Sequence, residues 1–173
     1  MPYALSDFCA DITRTIKAKG EAGLPELADK LSDLLNNPAF VAEAFAGDNP
    51  PPKRELWHDL ETDVYVLAHV QTAGHAGRPH SHGKSWAIYG TARGFTDMTE
   101  WRRVNPEGED STELVQTDAY RLGPAQTRAY GPHMIHATAH PEQSWVVRVT
   151  GTDLDNLPRY RFHPKKDKIL ERA

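Results

Sequence analysis

The sequence predicts a mainly β domain, an antiparallel sandwich or barrel that follows an N-terminal helical segment. Apolar residues recur at helical spacing over residues 1–48, and the prolines of residues 49–52 form a stiff linker after them. Short β-rich runs, broken by Gly and Pro and without an intervening helix, fill the rest of the chain. The runs are 63–70, 85–90, 95–104, 113–120, 127–130 and 145–150. We therefore expect one domain overall, in which the segment 1–48 packs on a barrel formed by 49–173.

The N-terminal segment divides into successive helices at its Gly and Pro residues. A leucine stripe at i, i+4, i+7 and i+8 spacing predicts one amphipathic helix that begins near Pro25. Asn37 and Pro38 are typical of the N-cap and the first position of a further helix. The stripe consists of Leu27, Leu31, Leu34 and Leu35. Its simplest interpretation is a packing face rather than a partner-binding groove.

Composition excludes several classes of partner. The chain has 173 residues, a net charge of −4 and a pI near 6.1, which do not suit a nucleic-acid or membrane-surface protein. The single cysteine, Cys9, cannot form an internal disulfide, and this fits a reducing compartment. No signal peptide is visible, and no run reaches the ~18 apolar residues of a membrane span. We expect a soluble, cytoplasmic protein.

Histidine is the unusual feature of the composition. Five of the nine histidines fall between residues 75 and 136. His80 and His82 lie in an extended segment, so their side chains point to the same side and can grip one metal ion. His136, on a strand-like run after a Gly-Pro turn, is the candidate third ligand. An isolated His-x-His is more often a surface or core pair than a metal site, and the second His cluster in an all-β region favours the metal. Imidazole suits Fe, Cu, Ni and Zn, so these residues alone do not choose the metal.

Two stretches around these histidines resemble the cupin motifs. Residues 79–83 (Pro-His-Ser-His-Gly), with 86–90 and Gly94, resemble the first motif, and residues 131–136 followed by 147–151 resemble the second. More narrowly, the pattern is similar to the cysteine dioxygenase branch, the thiol dioxygenases, over roughly residues 50–160. The resemblance implies a double-stranded β-helix, also called a jelly-roll barrel. It also implies an Fe(II) centre on the three histidines with open positions for substrate and O2.

One departure from the general cupin pattern favours this branch. Typical cupins carry a Glu ligand four or five residues after the second histidine, where this chain has Trp86 and Ala87. The expected ligand set is therefore three neutral histidines. A metal that keeps its full charge should bind an anionic substrate directly.

Two arginines are candidates for binding the carboxylate of a substrate. Arg54 lies about as far upstream of His80 as the carboxylate-binding arginine of the thiol dioxygenases does. Arg148 stands where that branch has the His of a Ser-x-His-x-Tyr set, and Thr150 stands at its Tyr. Strand alternation places Val146, Arg148 and Thr150 on one face, so in the family register Arg148 points into the pocket. The alternative for Arg54 is an exposed side chain in a charged turn.

Further predictions concern side chains beside the metal. Tyr89 and Trp86 lie on opposite faces of one strand, so we expect one of them to line the pocket. His140 is a candidate for orienting a metal ligand through a hydrogen bond. Because cupin barrels often pair, the resemblance also implies a homodimer as one candidate assembly.

Three functions follow from this sequence. The first is an Fe(II) dioxygenase that oxidises a small anionic substrate, such as a thiol acid or an enolisable carbonyl compound, with O2. The second is an isomerase or lyase that uses Zn, Mn or Ni as a Lewis acid, although the missing Glu argues against it. The third is a protein that binds a small ligand without turnover.

Overall fold

The computed structural model describes residues 2–107, 111–157, 160–162 and 168–170. Three helices come first: α1 (Leu5–Lys19), α2 (Leu24–Leu35) and α3 (Pro38–Ala44), with a 3₁₀ turn (Gly20–Gly23) between α1 and α2. The strands in these residues are β1 (Lys53–His58), β2 (Tyr65–Gln71), β3 (His75–Ala76), β4 (His80–Ser81), β5 (Ala87–Arg93), β6 (Thr96–Arg103), β7 (Glu113–Leu122), β8 (Thr127–Tyr130), β9 (Ile135–His140), β10 (Ser144–Thr150), β11 (Tyr160–Arg161) and β12 (Lys168–Leu170). A second 3₁₀ turn (Leu154–Asn156) follows β10.

The strands form two sheets whose order defines the fold. Sheet A has the order β1-β2-β10-β5-β8, and sheet B has the order β11-β4-β9-β6-β7-β12, with β3 beside β9. The chain passes from β2 in sheet A to β4 in sheet B, then to β5 in A and β6 in B. After the β6–β7 hairpin it returns through β8 in A, β9 in B and β10 in A. This winding is the double-stranded β-helix, and it confirms the predicted fold class.

Sheet A separates the helices from the barrel interior. Successive side chains of its strands point to opposite faces. Val66, Ile88 and Val149 pack with the helices in one core, whereas Ala87 and Tyr89 belong to a second core inside the barrel. Apolar side chains on both faces of β5 and β10 are thus buried, which explains the apolar runs within these strands.

Helix α2 lies directly on sheet A. Its leucine stripe is buried, as predicted. At Gly90 on β5, an added Cβ would lie 2.6 Å from Leu35 Cδ1 and 2.9 Å from Leu31 Cδ2, so the close approach of this helix requires a glycine there. The Ser32 hydroxyl also donates a 2.6 Å hydrogen bond to the carbonyl of Ala125, which ties α2 to the β7–β8 connection.

Local signals located the helix ends well. Pro25 lies in the first turn of α2, and the Asn37 side chain accepts a 3.0 Å hydrogen bond from the Ala39 N–H, as expected of an N-cap. The six predicted β runs all contain strands. Strand β1 was missed because it is a charged edge strand whose two apolar core residues, Leu56 and Trp57, are adjacent and do not alternate with polar ones. No helix among the described residues is both long and apolar enough to cross a membrane.

The contact of α2 with β5 predicts the effect of one substitution. Gly90→Ala should lower the free energy of unfolding by about 1–3 kcal/mol, because the new methyl group forces Leu31 and Leu35 apart. Gly123→Ala is the matched control, since its Cβ meets only Gln126 Oε1 at 3.5 Å, and it should change stability by less than about 0.5 kcal/mol. Chemical denaturation measures both values. Equal effects of the two substitutions would show that α2 does not pack this closely.

Candidate metal centre and cavity

The three predicted metal ligands come together at one end of the barrel. His80 on β4 pairs directly with His136 on β9, and side chains of directly opposed residues lie on the same face of a sheet. His82 follows two residues later. Gly83 then adopts a positive φ of 59°, and its carbonyl accepts a 2.7 Å hydrogen bond from the His133 N–H. This bond ties the segment that carries His80 and His82 to the turn that precedes His136.

The geometry of these side chains fits a single divalent ion. Each histidine offers one ring nitrogen, and these atoms all lie within 4.8 Å of one another. A metal at about 2.1 Å from each nitrogen can join them after small ring rotations. His80 Nδ1 lies 3.0 Å from the Arg78 carbonyl. Because a carbonyl only accepts, this nitrogen donates, and the Nε2 lone pair is left to bind a metal.

The most deeply buried histidine of the group is held in its neutral form. His136 has no exposed surface. Burial, followed by the neighbouring His80 and His82, holds its pKa well below the usual value. A neutral imidazole is the form that binds a metal, so His136 needs no deprotonation near neutral pH.

A carboxylate ligand is absent from the described group, as the sequence predicted. The group consists of His80, His82 and His136 alone. Trp86 packs in the core that faces the helices, and Ala87 lies fully buried in the barrel. The positions of the usual cupin glutamate are therefore occupied by apolar side chains.

Two tyrosines flank His136. The Tyr89 hydroxyl lies 3.4 Å from His136 Nε2 and lines the cavity, so Tyr89 rather than Trp86 is the aromatic residue beside the site. The Tyr130 ring stacks on His136 with 4.2 Å between ring centroids. Its hydroxyl bonds to that of Tyr120, which donates to Glu100 at 2.7 Å. Sequence reasoning missed Tyr130, although its place next to the second motif was a usable signal.

A cavity of about 380 Å³ opens beside His80, the one member of the histidine group that lines it, and this volume suits a small molecule. Its described lining includes three arginines and no aspartate or glutamate. The residues that line it are Gln71, His75, Ala76, Gly77, Arg78, His80, Tyr89, Thr138, His140, Val146, Arg148 and Arg161. The cavity therefore has a positive lining although the whole chain carries a net charge of −4.

Arg148 faces this cavity, as strand alternation predicted. It pairs with Tyr89 across β10 and β5, so both side chains lie on the inner face of sheet A. Its Nε atom is buried and has no hydrogen-bond partner among the described residues. A buried guanidinium N–H without a partner is costly, and an anion in the cavity would satisfy it.

The prediction for Arg54 is corrected by the structure. Its guanidinium donates to the carbonyls of Glu43, Ala44 and Ala46 at 3.1–3.2 Å, and Arg54 does not line the cavity. These carbonyls lie at the C-terminal end of α3, where a helix attracts cations. Arg54 therefore fastens α3 to β1 and is not placed to bind a substrate carboxylate.

The ligand-orienting role predicted for His140 is also corrected. His140 lines the cavity but lies four residues beyond His136 on β9, about 13 Å along the strand, and cannot hold that ring. Its Nδ1 is 2.7 Å from Ser144 Oγ. Burial, followed by the nearby His75, lowers the pKa of His140 to about 4. It offers a neutral polar group at the end of the cavity away from His136.

Comparison with known proteins relates the chain to structures only. No family model matches it, and no curated protein matches its sequence. The solved structure of KdgF from Halomonas sp. is 19 % identical over 61 % of this chain and 82 % of its own, with a TM-score of 0.43. The DMSP lyase DddQ from Ruegeria pomeroyi DSS-3 is 15 % identical over 65 % of this chain and 52 % of its own, with a TM-score of 0.46.

A further similar structure is an uncharacterised conserved protein with a double-stranded β-helix domain from Klebsiella pneumoniae. It is 16 % identical over 71 % of this chain and 94 % of its own, with a TM-score of 0.44. Likenesses of this size carry no conclusion about activity. The strand order of this chain is that of a double-stranded β-helix, and its three clustered histidines could hold one metal ion.

The histidine group predicts metal binding that depends on its members. The wild-type chain should bind about one divalent ion, and His136→Ala should weaken its affinity more than about tenfold. His133→Ala is the matched control, because His133 is a nearby histidine whose side chain is exposed. Calorimetric titration with Zn(II) and with Fe(II) under argon measures these affinities. Unchanged binding in His136→Ala would place the ion elsewhere.

The low pKa of His140 predicts how stability depends on pH. A histidine titrates near 6.5 in the unfolded chain and near 4 here, so the unfolded state binds more protons as the pH falls. The contribution of His140 is complete above pH 6.5 and is lost progressively toward pH 4. His140→Gln should therefore make the fall in unfolding free energy between these pH values shallower, as measured by urea denaturation. A slope equal to that of the wild-type chain would contradict the shift.

Proposed function

We propose that this chain is a metal-dependent cupin enzyme, a mononuclear Fe(II) dioxygenase that oxidises a small anionic substrate such as a thiol acid with O2. The observation that carries the proposal is a carboxylate-free group of three histidines among the described residues, one of which, His80, lines a cavity together with three arginines. Bound Fe(II) would supply the redox chemistry, in which electrons pass from the substrate to O2. Three neutral ligands leave the charge of the ion uncompensated, which favours an anionic donor from the substrate.

The residues of the chain would hold the substrate in a fixed position. Arg148 faces the cavity beside Tyr89, and its planar guanidinium suits a carboxylate. With the carboxylate on Arg148, a thiolate at the other end of a short molecule would point toward His80, which lines the same cavity. An enzyme raises the reaction rate when it holds the reacting groups of a bound substrate close together and correctly oriented.

Tyr89 would act on the reacting end of the molecule. Its hydroxyl lies 3.4 Å from His136 Nε2 and can donate a hydrogen bond to a group bound at the three histidines. The apolar side chains Ala87 and Val146 pack next to it and keep water from this side of the site. A dry environment strengthens the electrostatic interactions of Arg148 with a bound anion.

A second candidate function is a non-redox isomerase or lyase that uses Zn, Mn or Ni. The position of the Tyr89 hydroxyl favours it, because such reactions need an acid–base group beside the metal. This candidate predicts turnover without O2. A cupin that binds a small ligand and turns nothing over is the remaining alternative.

Oxygen consumption tests the proposal. Chain loaded anaerobically with Fe(II) should take up O2 with 3-mercaptopropionate or cysteine, and less with cysteamine, which has no carboxylate for Arg148. Acetylacetone, a β-diketone, tests the enolisable alternative. His136→Ala should abolish uptake and His133→Ala should retain it. Absence of uptake with every compound, while Fe(II) stays bound at one per chain, would contradict the dioxygenase.

The part played by Arg148 has its own test. Arg148→Met should raise the KM for the thiol acid about tenfold or more, the value of a lost charge-assisted hydrogen bond, and leave metal content unchanged. Cysteamine kinetics should be nearly unaffected by the same substitution. An unchanged KM for the acid would remove Arg148 from substrate binding.

A further inference from the structure

The arginines of the cavity occupy two different places. Arg148 lies on the inner face of sheet A with its Nε atom buried. Arg78 and Arg161 are exposed; Arg161 lies on β11 of sheet B, and Arg78 lies in the segment that connects β3 and β4 of that sheet. Arg161 pairs directly with His80, so the two side chains lie on the same face. Arg78 lies two residues before His80 and holds the ring of that histidine through its carbonyl. These two guanidinium groups therefore flank His80 at the open side of the cavity.

No described carboxylate neutralises these groups. None of the three arginines forms an ion pair with a described aspartate or glutamate, whereas Arg121 and Arg128 elsewhere in the barrel do so. Three like charges around one cavity repel one another. Their mutual repulsion is relieved when anions bind between them, so the arrangement is suited to an anionic ligand.

A single small acid group cannot bind Arg148 and the pair of Arg78 and Arg161 at the same time. A carboxylate is saturated by one bidentate guanidinium and one or two further donors. Arg148 is half-buried on sheet A, across the barrel from the strand pair that carries His80 and Arg161. The volume of about 380 Å³ leaves room for a molecule that extends from one place to the other.

We infer that Arg78 and Arg161 form a second anion subsite at the mouth of the cavity, so that the protein selects small molecules with an acid group at each of two ends. The inference rests on the proposed function in one respect, the assignment of the first acid group to Arg148. The second acid group is a carboxylate or a phosphate-type anion, and both are chemistries that guanidinium groups bind.

Binding of non-reacting acids tests the subsite apart from any turnover. Butyrate, glutarate and 3-phosphonopropionate are titrated calorimetrically into Zn(II)-loaded chain and, in parallel, into chain freed of metal with EDTA. Glutarate or 3-phosphonopropionate should bind about tenfold more tightly than butyrate in both preparations. The tighter of the two identifies the second acid group. Equal affinities for all three compounds, or a preference confined to the metal-loaded chain, would overturn the inference.

Substitutions then place the subsite on the two arginines. Arg78→Met and Arg161→Met should each reduce the affinity for the diacid toward that for butyrate and leave butyrate binding unchanged. Arg102→Met, which removes an exposed charge outside this cavity, is the matched control and should have no effect. An equal loss in Arg102→Met would show only a general effect of net charge and would overturn the inference. Diacid selectivity without O2 uptake would contradict the dioxygenase and leave the second subsite standing.

Discussion

The antiparallel pairing of β4 with β9 is the contact on which the site depends. It sets His80 directly opposite His136 and so brings two imidazole rings to one face of sheet B. A slip of one residue in this register would turn His80 away from the barrel. Strand β4 has only two residues, and its position is held from both sides, by β11 on one edge and by the Gly83–His133 hydrogen bond beyond its end. These contacts at the edge and beyond the end of β4 therefore fix a register that a strand of two residues cannot fix alone.

Charge is the second organising feature. His80 of the histidine group and three arginines line one cavity of a chain whose net charge is −4, and the described lining has no acidic side chain. A divalent ion bound at the histidines would add to this positive potential, and the described lining offers no acidic side chain to neutralise it. The negative charge at this cavity must therefore come from the ligand. An anion would be stabilised most at the buried Nε of Arg148, because this N–H is removed from water.

The sequence predicted the parts of the site that depend on local periodicity. The two-residue spacing placed His80 and His82 together, the second histidine cluster supplied His136, and the alternation along β10, in the register of the family resemblance, placed Arg148. Periodicity gives the face of a side chain, but it does not give its distance from a site or the tertiary partner that it meets. His140 shares the inward face with His136 but lies too far along β9 to contact its ring. Arg54 instead donates its hydrogen bonds to carbonyls at the C-terminal end of α3. Tyr130 meets His136 only because two sheets face each other.

A crystal structure of the metal-loaded chain, with anomalous scattering at the absorption edge of the ion, tests the central claim most directly. The account predicts one ion at about 2.0–2.2 Å from a ring nitrogen of each of His80, His82 and His136, with no carboxylate of the chain bound to it. An ion on other residues, or one that holds an aspartate or glutamate oxygen of this chain, would contradict the account.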